Sequence, residues 1–209
     1  MDVLKKQFIY ITHEKIEKVK DLIRAYGATY YDAPGEADEL CAMLVMKKKV
    51  WACLSEDMDL FVYGCNRVLR YFSLVNQSVV LYYTKGILEN LNMTQKEFRE
   101  ICVLSGTDYN INANTCNEKS GFFTIYDTIK QFRKYQEQKN NQNMPFYDWL
   151  QDVNKDYITD LELLNKINQM FIISNELTNS FKNIKIINSP IQKLLVREIM
   201  KEDGFMFID

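Results

Sequence analysis

The 209-residue chain is poor in glycine, with 7, and holds a single histidine, His13. One histidine argues against a zinc centre built from imidazole and thiolate. The five cysteines are odd in number, and none forms a Cys-x-x-Cys pair, so a disulfide framework is not expected. Cys41, Cys53 and Cys102 lie inside apolar segments and read as reduced, buried thiols. No apolar run approaches the ~20 residues of a membrane span. Met1–Lys6 is charged where a secretion signal would be apolar. The expectation is a soluble, intracellular protein with no membrane partner. A basic excess is missing as well: the formal net charge is −2, whereas strong basic bias is the usual footprint of a nucleic-acid binder. An acid-rich metal site would lower that total and leave room for local basic patches.

Apolar material is ample, at 47% of residues, so one substantial core is within reach. Residues 8–12 predict a short strand, and Thr12 caps a helix over 13–26 that Gly27 stops. Residues 28–31 are β-prone. Pro34 and Gly35 open a helix to about Lys47. Val50–Leu54 is a continuous apolar run, as in a strand buried on both faces, and Trp51 is expected in the core. Further strands are predicted near 67–72 and 78–83, then a short helix over 84–91. Thr94 and Glu97 fit a capping box for a helix that Gly106 ends. Strand–helix alternation predicts an α/β fold with a partly parallel sheet. Helices are predicted near 120–139, 146–153, 159–172 and 190–202. The expected organisation is an α/β region over 1–107 followed by a helical region over 108–209.

Three segments place acids where a sheet-based site would need them: Asp32-Ala-Pro-Gly-Glu36-Ala-Asp38-Glu39, Glu56-Asp57-Met58-Asp59 and Gly106-Thr107-Asp108. The second directly follows the apolar strand, and open α/β sheets gather ligands at strand carboxyl ends. Carboxylates without His or Cys suit hard cations such as Mg²⁺ or Mn²⁺. Crowded acids raise one another's pKa, a conflict that a divalent cation removes. Each segment also has a plainer account, since acids favour helix starts and Asp is a common turn residue. Within a regular helix, residues two apart point about 200° apart. Glu36 and Asp38 therefore reach one site only if it sits over the helix mouth.

Taken in order, Tyr31-Asp-Ala-Pro-Gly-Glu-Ala-Asp38, Ser55-Glu-Asp-Met-Asp59 and Leu104-Ser-Gly-Thr-Asp-Tyr109 resemble the internal region of the XPG/flap-endonuclease family. The match is strong from about residue 5 to 110 and traceable to about 207, where Leu195-Val-Arg-Glu-Ile-Met-Lys-Glu-Asp-Gly-Phe205 resembles the family's late helix. The resemblance implies a PIN-like α/β sheet followed by a helix-two-turn-helix DNA-binding element. It also implies two-metal cleavage of flapped and branched DNA, with two Mg²⁺ ions and Mn²⁺ as substitute. By position, Glu36, Asp38, Asp57, Asp59 and Asp108 match family metal ligands. Asp57, Asp59 and Asp108 would mainly hold one ion, and Glu36 and Asp38 the other or both. Asp32, Glu39 and Glu56 are not carried over. As expected for nucleases of replication and repair, the nucleus or another site of DNA replication is the implied location.

The sequence departs from the family in three places. The family's N-terminal nuclease region, source of two further aspartates and the first strands, has no counterpart here. The expectation is an active site completed by a separate N-terminal half or by upstream sequence. Asp38 stands where the family prefers Glu. The family's glycine-rich hairpin aligns with Thr115-Cys-Asn-Glu-Lys119, so the helix-two-turn-helix is degenerate. Lys119 survives, with Lys130, Arg133, Lys134 and Lys139 downstream. These read equally as DNA-phosphate contacts, salt-sensitive in binding, or as a solvated basic face. Phe122, Phe123, Tyr126, Ile129 and Phe132 read as a core stripe at helical spacing. No sliding-clamp peptide is evident. An active nuclease and a catalytically inactive DNA-binding relative are both compatible with these residues.

Overall fold

The computed structural model describes residues 11–110, 124–138, 144–155 and 157–207. The chain divides into two compact units, one up to Pro34 and from Ile184 onward, the other Gly35–Asn183. This division concerns compactness, and the expected regions 1–107 and 108–209 concern family organisation.

In the first unit, α1 (His13–Ala25) packs on α10 (Lys193–Glu202). The Thr12 side chain accepts from the Lys15 amide and so caps α1, as its sequence predicts. Residues 28–31 form no strand. Their polar groups are met instead by the returning chain, as Thr29 Oγ1 donates to the Ile187 carbonyl at 2.7 Å. Lys18 pairs with Asp203 at 3.1 Å. Gly27 has φ +79°, and the Ser189 amide donates to its carbonyl at 2.8 Å. A Cβ at Gly27 would stand 2.0 Å from the Ser189 carbonyl oxygen. Gly27→Ala is therefore expected to destabilise this unit by more than the ~1–2 kcal/mol of left-handed strain alone. A urea midpoint that stays in place would contradict it.

In the second unit, α2 (Ala37–Met46) leads to β1 (Cys53–Leu54), α3 (Asp59–Tyr63), β2 (Arg67–Ser73) and β3 (Ser78–Tyr83). Then follow α4 (Thr84–Leu91), α5 (Gln95–Ser105), α6 (Ile125–Gln138), α7 (Phe146–Val153), α8 (Leu161–Met170) and α9 (Asn175–Ser180). Among the described residues the sheet has the order β1-β2-β3, with β1 parallel and β3 antiparallel to β2. The fold class is therefore α/β with a partly parallel sheet, as expected. Both arms of the Thr94–Glu97 capping box are present.

The Val50–Leu54 expectation needs correction. Only Cys53–Leu54 pairs, and β1 is an edge of the described sheet, with Trp51 58% and Leu54 55% exposed. Trp51 is thus not a core residue; its ring lies against the Arg67 guanidinium. The aromatic stripe of α6 is likewise partial. Phe132 is buried and Ile129 partly so, whereas Tyr126 is exposed; Phe122 and Phe123 lie outside the described residues.

The core joins α3, β2, α5 and the helices that follow, through Leu60, Val68, Ile101, Phe132, Phe146, Leu150 and Leu164. A buried polar chain crosses it without orphaned groups. Arg99 Nε donates to Asn168 Oδ1, Asn168 Nδ2 to the Tyr147 hydroxyl, and Tyr147 to the Glu100 carbonyl. Among the described residues no helix is long and apolar enough to cross a membrane.

Candidate metal centre

Glu36 does not sit inside the helix. It is the N-cap residue of α2, extended at φ −68° and ψ 129°, and its side chain makes no cap hydrogen bond. Asp38 lies in the first turn. The angular conflict expected for two acids within one helix therefore does not arise, and the acids gather at the helix mouth.

Asp57 lies in the turn between β1 and α3, and Asp59 begins α3. The ladder extends one step past β1, as the Ser55 amide donates to the Leu69 carbonyl at 3.1 Å. Ser55 Oγ then accepts from the Asp57 amide at 3.1 Å, and Asp57 Oδ1 from the Asp59 amide at 2.9 Å. These bonds fix both acids at the start of α3. From β2, Arg70 donates to the Glu56 carbonyl at 2.9 Å and pairs with the Glu56 carboxylate at 3.3 Å. Glu56 is therefore engaged in holding the turn, in line with its exclusion from the candidate ligands.

Asp108 follows α5. Thr107 and Asn110, both buried, pin its turn: the Thr107 hydroxyl and Asn110 Oδ1 lie 2.9 Å apart, and Asn110 Nδ2 donates to the Val103 carbonyl at 2.8 Å. Next to Asp108, burial and then the charge of Glu36 push the Tyr109 phenol up. The Tyr109 ring meets Phe171 edge-on at 5.7 Å, and Phe171 meets Tyr63 of α3 at 5.1 Å. One buried ring thus backs the elements bearing Asp59 and Asp108. Composition and motif reading missed these supports, although Ser-x-Asp and Thr-x-x-Asn are short local turn patterns that carry the signal.

Electrostatics tie the five acids together. Burial, then Asp57, Asp108, Asp38 and Glu36, raise the Asp59 carboxyl to about 6. Burial, then Asp57 and Glu36, raise Asp38. Every candidate ligand therefore acts on Asp59. The donor set is all carboxylate, which fits a hard divalent cation, and the self-repulsion is what such a cation would neutralise. Among the described residues no three such side chains stand close enough together to enclose an ion. The acids converge on one region without closing around a point.

The pH consequence has a definite sign. Asp59 binds its proton more tightly folded than unfolded, so its charge destabilises the metal-free fold above pH about 6, and the penalty fades toward the ordinary aspartate value of 3.8. The melting-temperature advantage of Asp59→Asn in EDTA is expected to be largest at pH 7.5, reduced at pH 5 and small only near pH 4. An advantage that grows on acidification would contradict the assignment.

Other acids have separate roles. Asp32, in the first unit, accepts from Lys20 and Tyr30. Glu39 accepts from the Ser174 amide at 3.0 Å and so tethers α2 to the start of α9. Lys130, Arg133 and Lys134 share the exposed side of α6, opposite the buried Thr128 and Phe132, and Lys130 lies over the Tyr126 ring. Lys119 and Lys139 lie outside the described residues.

Residues 27–108 match the XPG I-region family model. The chain is 36% identical over 107 residues to flap endonuclease 1 of Drosophila willistoni, across 50% of this chain and 28% of that protein. It is 37% identical over 112 residues to flap endonuclease 1 of Aedes aegypti, across 52% and 30%. The chain thus spans less than a third of the curated relatives it matches. Among solved structures, flap endonuclease-1 from Methanococcus jannaschii superposes with a TM-score of 0.68 at 21% identity, covering 94% of this chain and 55% of that one. The catalytic core of Rad2 in complex with DNA substrate gives 0.68 at 19%, covering 98% and 67%. The Holliday junction-resolving enzyme GEN1, in complex with product DNA and an Mg²⁺ ion, gives 0.60 at 22%, covering 92% and 51%. Those likenesses establish the fold, and the three acidic motifs fall within or at the end of the matched region. Over residues 27–108 the chain is therefore similar to XPG I-regions, and its fold is that of the flap-endonuclease structures.

Proposed function

We propose that the chain contributes the metal-binding carboxylates of a structure-specific DNA nuclease that hydrolyses phosphodiesters at flaps or branches. The observation that carries this reading is the half-buried Asp59, raised by all four other candidate ligands. Like charges crowded at a half-buried position cost stability in a free protein, and a cation-binding role accounts for their being held together.

Asp57, Asp59 and Asp108 would hold one Mg²⁺, and Glu36 and Asp38 a second or both, with Mn²⁺ as substitute. When bound, the ions supply charge neutralisation and an activated water for in-line attack on a DNA phosphate. The chain's own part is positional. Ser55 and the Asp59 amide hold Asp57 in place, and Asn110 and Thr107 fix the Asp108 turn. Lys130, Arg133 and Lys134, with Lys119, would meet phosphates of the duplex, and residues 108–209 would form the degenerate helix-two-turn-helix region. An N-terminal nuclease region, supplied as a separate polypeptide or as upstream sequence, would complete the site. The nucleus, or another site of DNA replication, is the place of action that fits a flap or branch substrate.

A catalytically inactive DNA-binding relative is the second reading, favoured by the open spacing of the acids and by Asp38 with its shorter side chain.

Cleavage of a labelled 5′-flap duplex in Mg²⁺ tests the proposal, with the chain alone and with a family N-terminal region added in trans. Cutting at the junction that Glu36→Gln abolishes is expected in the complemented reaction. Tight flap binding without cutting in every mixture would establish the second reading instead.

A further inference from the structure

The turn that closes α2 carries three consecutive lysines, Lys47, Lys48 and Lys49, all exposed. Their amides bond to the last carbonyls of the helix: Lys47 donates to Met43 at 2.8 Å, Lys48 to Val45 at 3.0 Å and Lys49 to Leu44 at 2.9 Å. Among the described residues none of the three side chains is ion-paired. The sequence gives the reason, since no acid lies between Glu39 and Glu56, or between Asp59 and Glu89.

Two residues beyond Lys49, the Trp51 side chain stands exposed. Arg67 of β2 braces it: the guanidinium lies 5.3 Å from the ring centroid, and Nη1 donates to the Trp51 carbonyl at 3.1 Å. Tyr83, also exposed, is opposite Arg67 on β3. Lysines at a helix C-terminus favour its dipole. That accounts for their charge, but not for a large ring held in the open by a cation. With Arg67 over one face, the exposed part of the ring offers a stacking surface, and the neighbouring ammonium groups offer phosphate contacts. We propose that Lys47–Lys49, Trp51 and Arg67 form a binding site for single-stranded nucleic acid, in which a base stacks on Trp51 and the adjoining phosphates meet the lysines.

This site is at the opposite end of α2 from the acids. Glu36 and Asp38 lie at the helix start, and the ten residues of α2 span ~15 Å. A nucleotide stacked on Trp51 is therefore remote from the acidic cluster, and the proposal does not depend on the metal reading.

Trp149, the other tryptophan of the chain, is buried, so stacking on Trp51 is read directly in the intrinsic fluorescence. The test titrates the full chain in EDTA with oligothymidylate and with oligouridylate. Saturable quenching is expected, and the tighter binder of the two identifies the source as DNA or RNA. By anisotropy of the labelled oligonucleotide, Trp51→Ala is expected to weaken binding roughly 5- to 150-fold, the scale of one stacked base. Trp51→Phe, which keeps an aromatic face, is expected to retain most of the affinity. Replacing Lys47, Lys48 and Lys49 together by Gln is expected to flatten the slope of log affinity against log salt by about 2, at ~0.7 per phosphate contact. Absence of quenching, or binding whose affinity ignores Trp51→Ala and whose salt slope ignores the lysine variant, overturns the proposal. So does capture by phosphatidylserine vesicles with no response to either oligonucleotide. The titration needs no metal, so failure of the metal reading leaves this result intact, and failure here leaves the metal reading standing.

Discussion

Asp57→Asn/Asp59→Asn is expected to melt at a higher temperature than the wild type in EDTA at pH 7.5, and to gain nothing from Mg²⁺. The first effect follows from the Asp59 carboxyl, raised to about 6 by burial and by four neighbouring acids. Neutral amides remove that repulsion, while the side-chain oxygen at position 57 can still accept from the residue 59 amide, so the turn is kept. The second follows from linkage: a ligand that binds only the folded chain at about 100 times its Kd adds ~2.7 kcal/mol. Changes in mere supports of metal ligands cost roughly 10–100-fold in affinity, and loss of two direct acids should exceed that. Differential scanning calorimetry with and without Mg²⁺ checks both halves. A variant that melts lower in EDTA, or still rises with Mg²⁺, would separate these acids from metal binding.

Phe171→Ala carries the largest expected loss of stability. The ring is fully buried and touches Tyr63 on one side and Tyr109 on the other. Truncation forfeits its transfer energy and leaves a cavity, together about 3–5 kcal/mol. Because Tyr109 directly follows Asp108 and Tyr63 lies on the helix that Asp59 begins, metal affinity is expected to fall alongside stability. Urea unfolding measures the first and calorimetric titration the second. A loss below about 1 kcal/mol would mean that the cluster around Phe171 is not packed as described.

The elements legible in the sequence are those whose signals are local. Phe146–Val153 matches its predicted bounds, because Pro145 sets the start and Phe146, Tyr147, Trp149 and Leu150 form one buried stripe. The Thr94–Glu97 box and the Thr12 cap are likewise complete within four residues. Val50–Leu54 was less legible, since an apolar run carries no mark that separates a central strand from an edge. The five residues of Asp59–Tyr63 are too few for a helical period, and their start depends on the Asp57–Asp59 bond. For the site, the acids were legible as motifs because their order along the chain is distinctive. What positions them was not, since Phe171 and Tyr109 meet across 62 residues and Arg70 reaches Glu56 from the neighbouring strand.

Manganese binding tests the central claim most directly. The free-ion electron paramagnetic resonance signal of Mn²⁺, followed as the chain is added at pH 7.5, reports the bound fraction without any demand on catalysis. The account predicts a saturable loss of the free signal, weakened at pH 5.5 as Asp59 takes up its proton and absent in Asp57→Asn/Asp59→Asn. A free signal unchanged by the wild-type chain, or lost equally with the double variant, would contradict the assignment of these acids to a divalent-metal site.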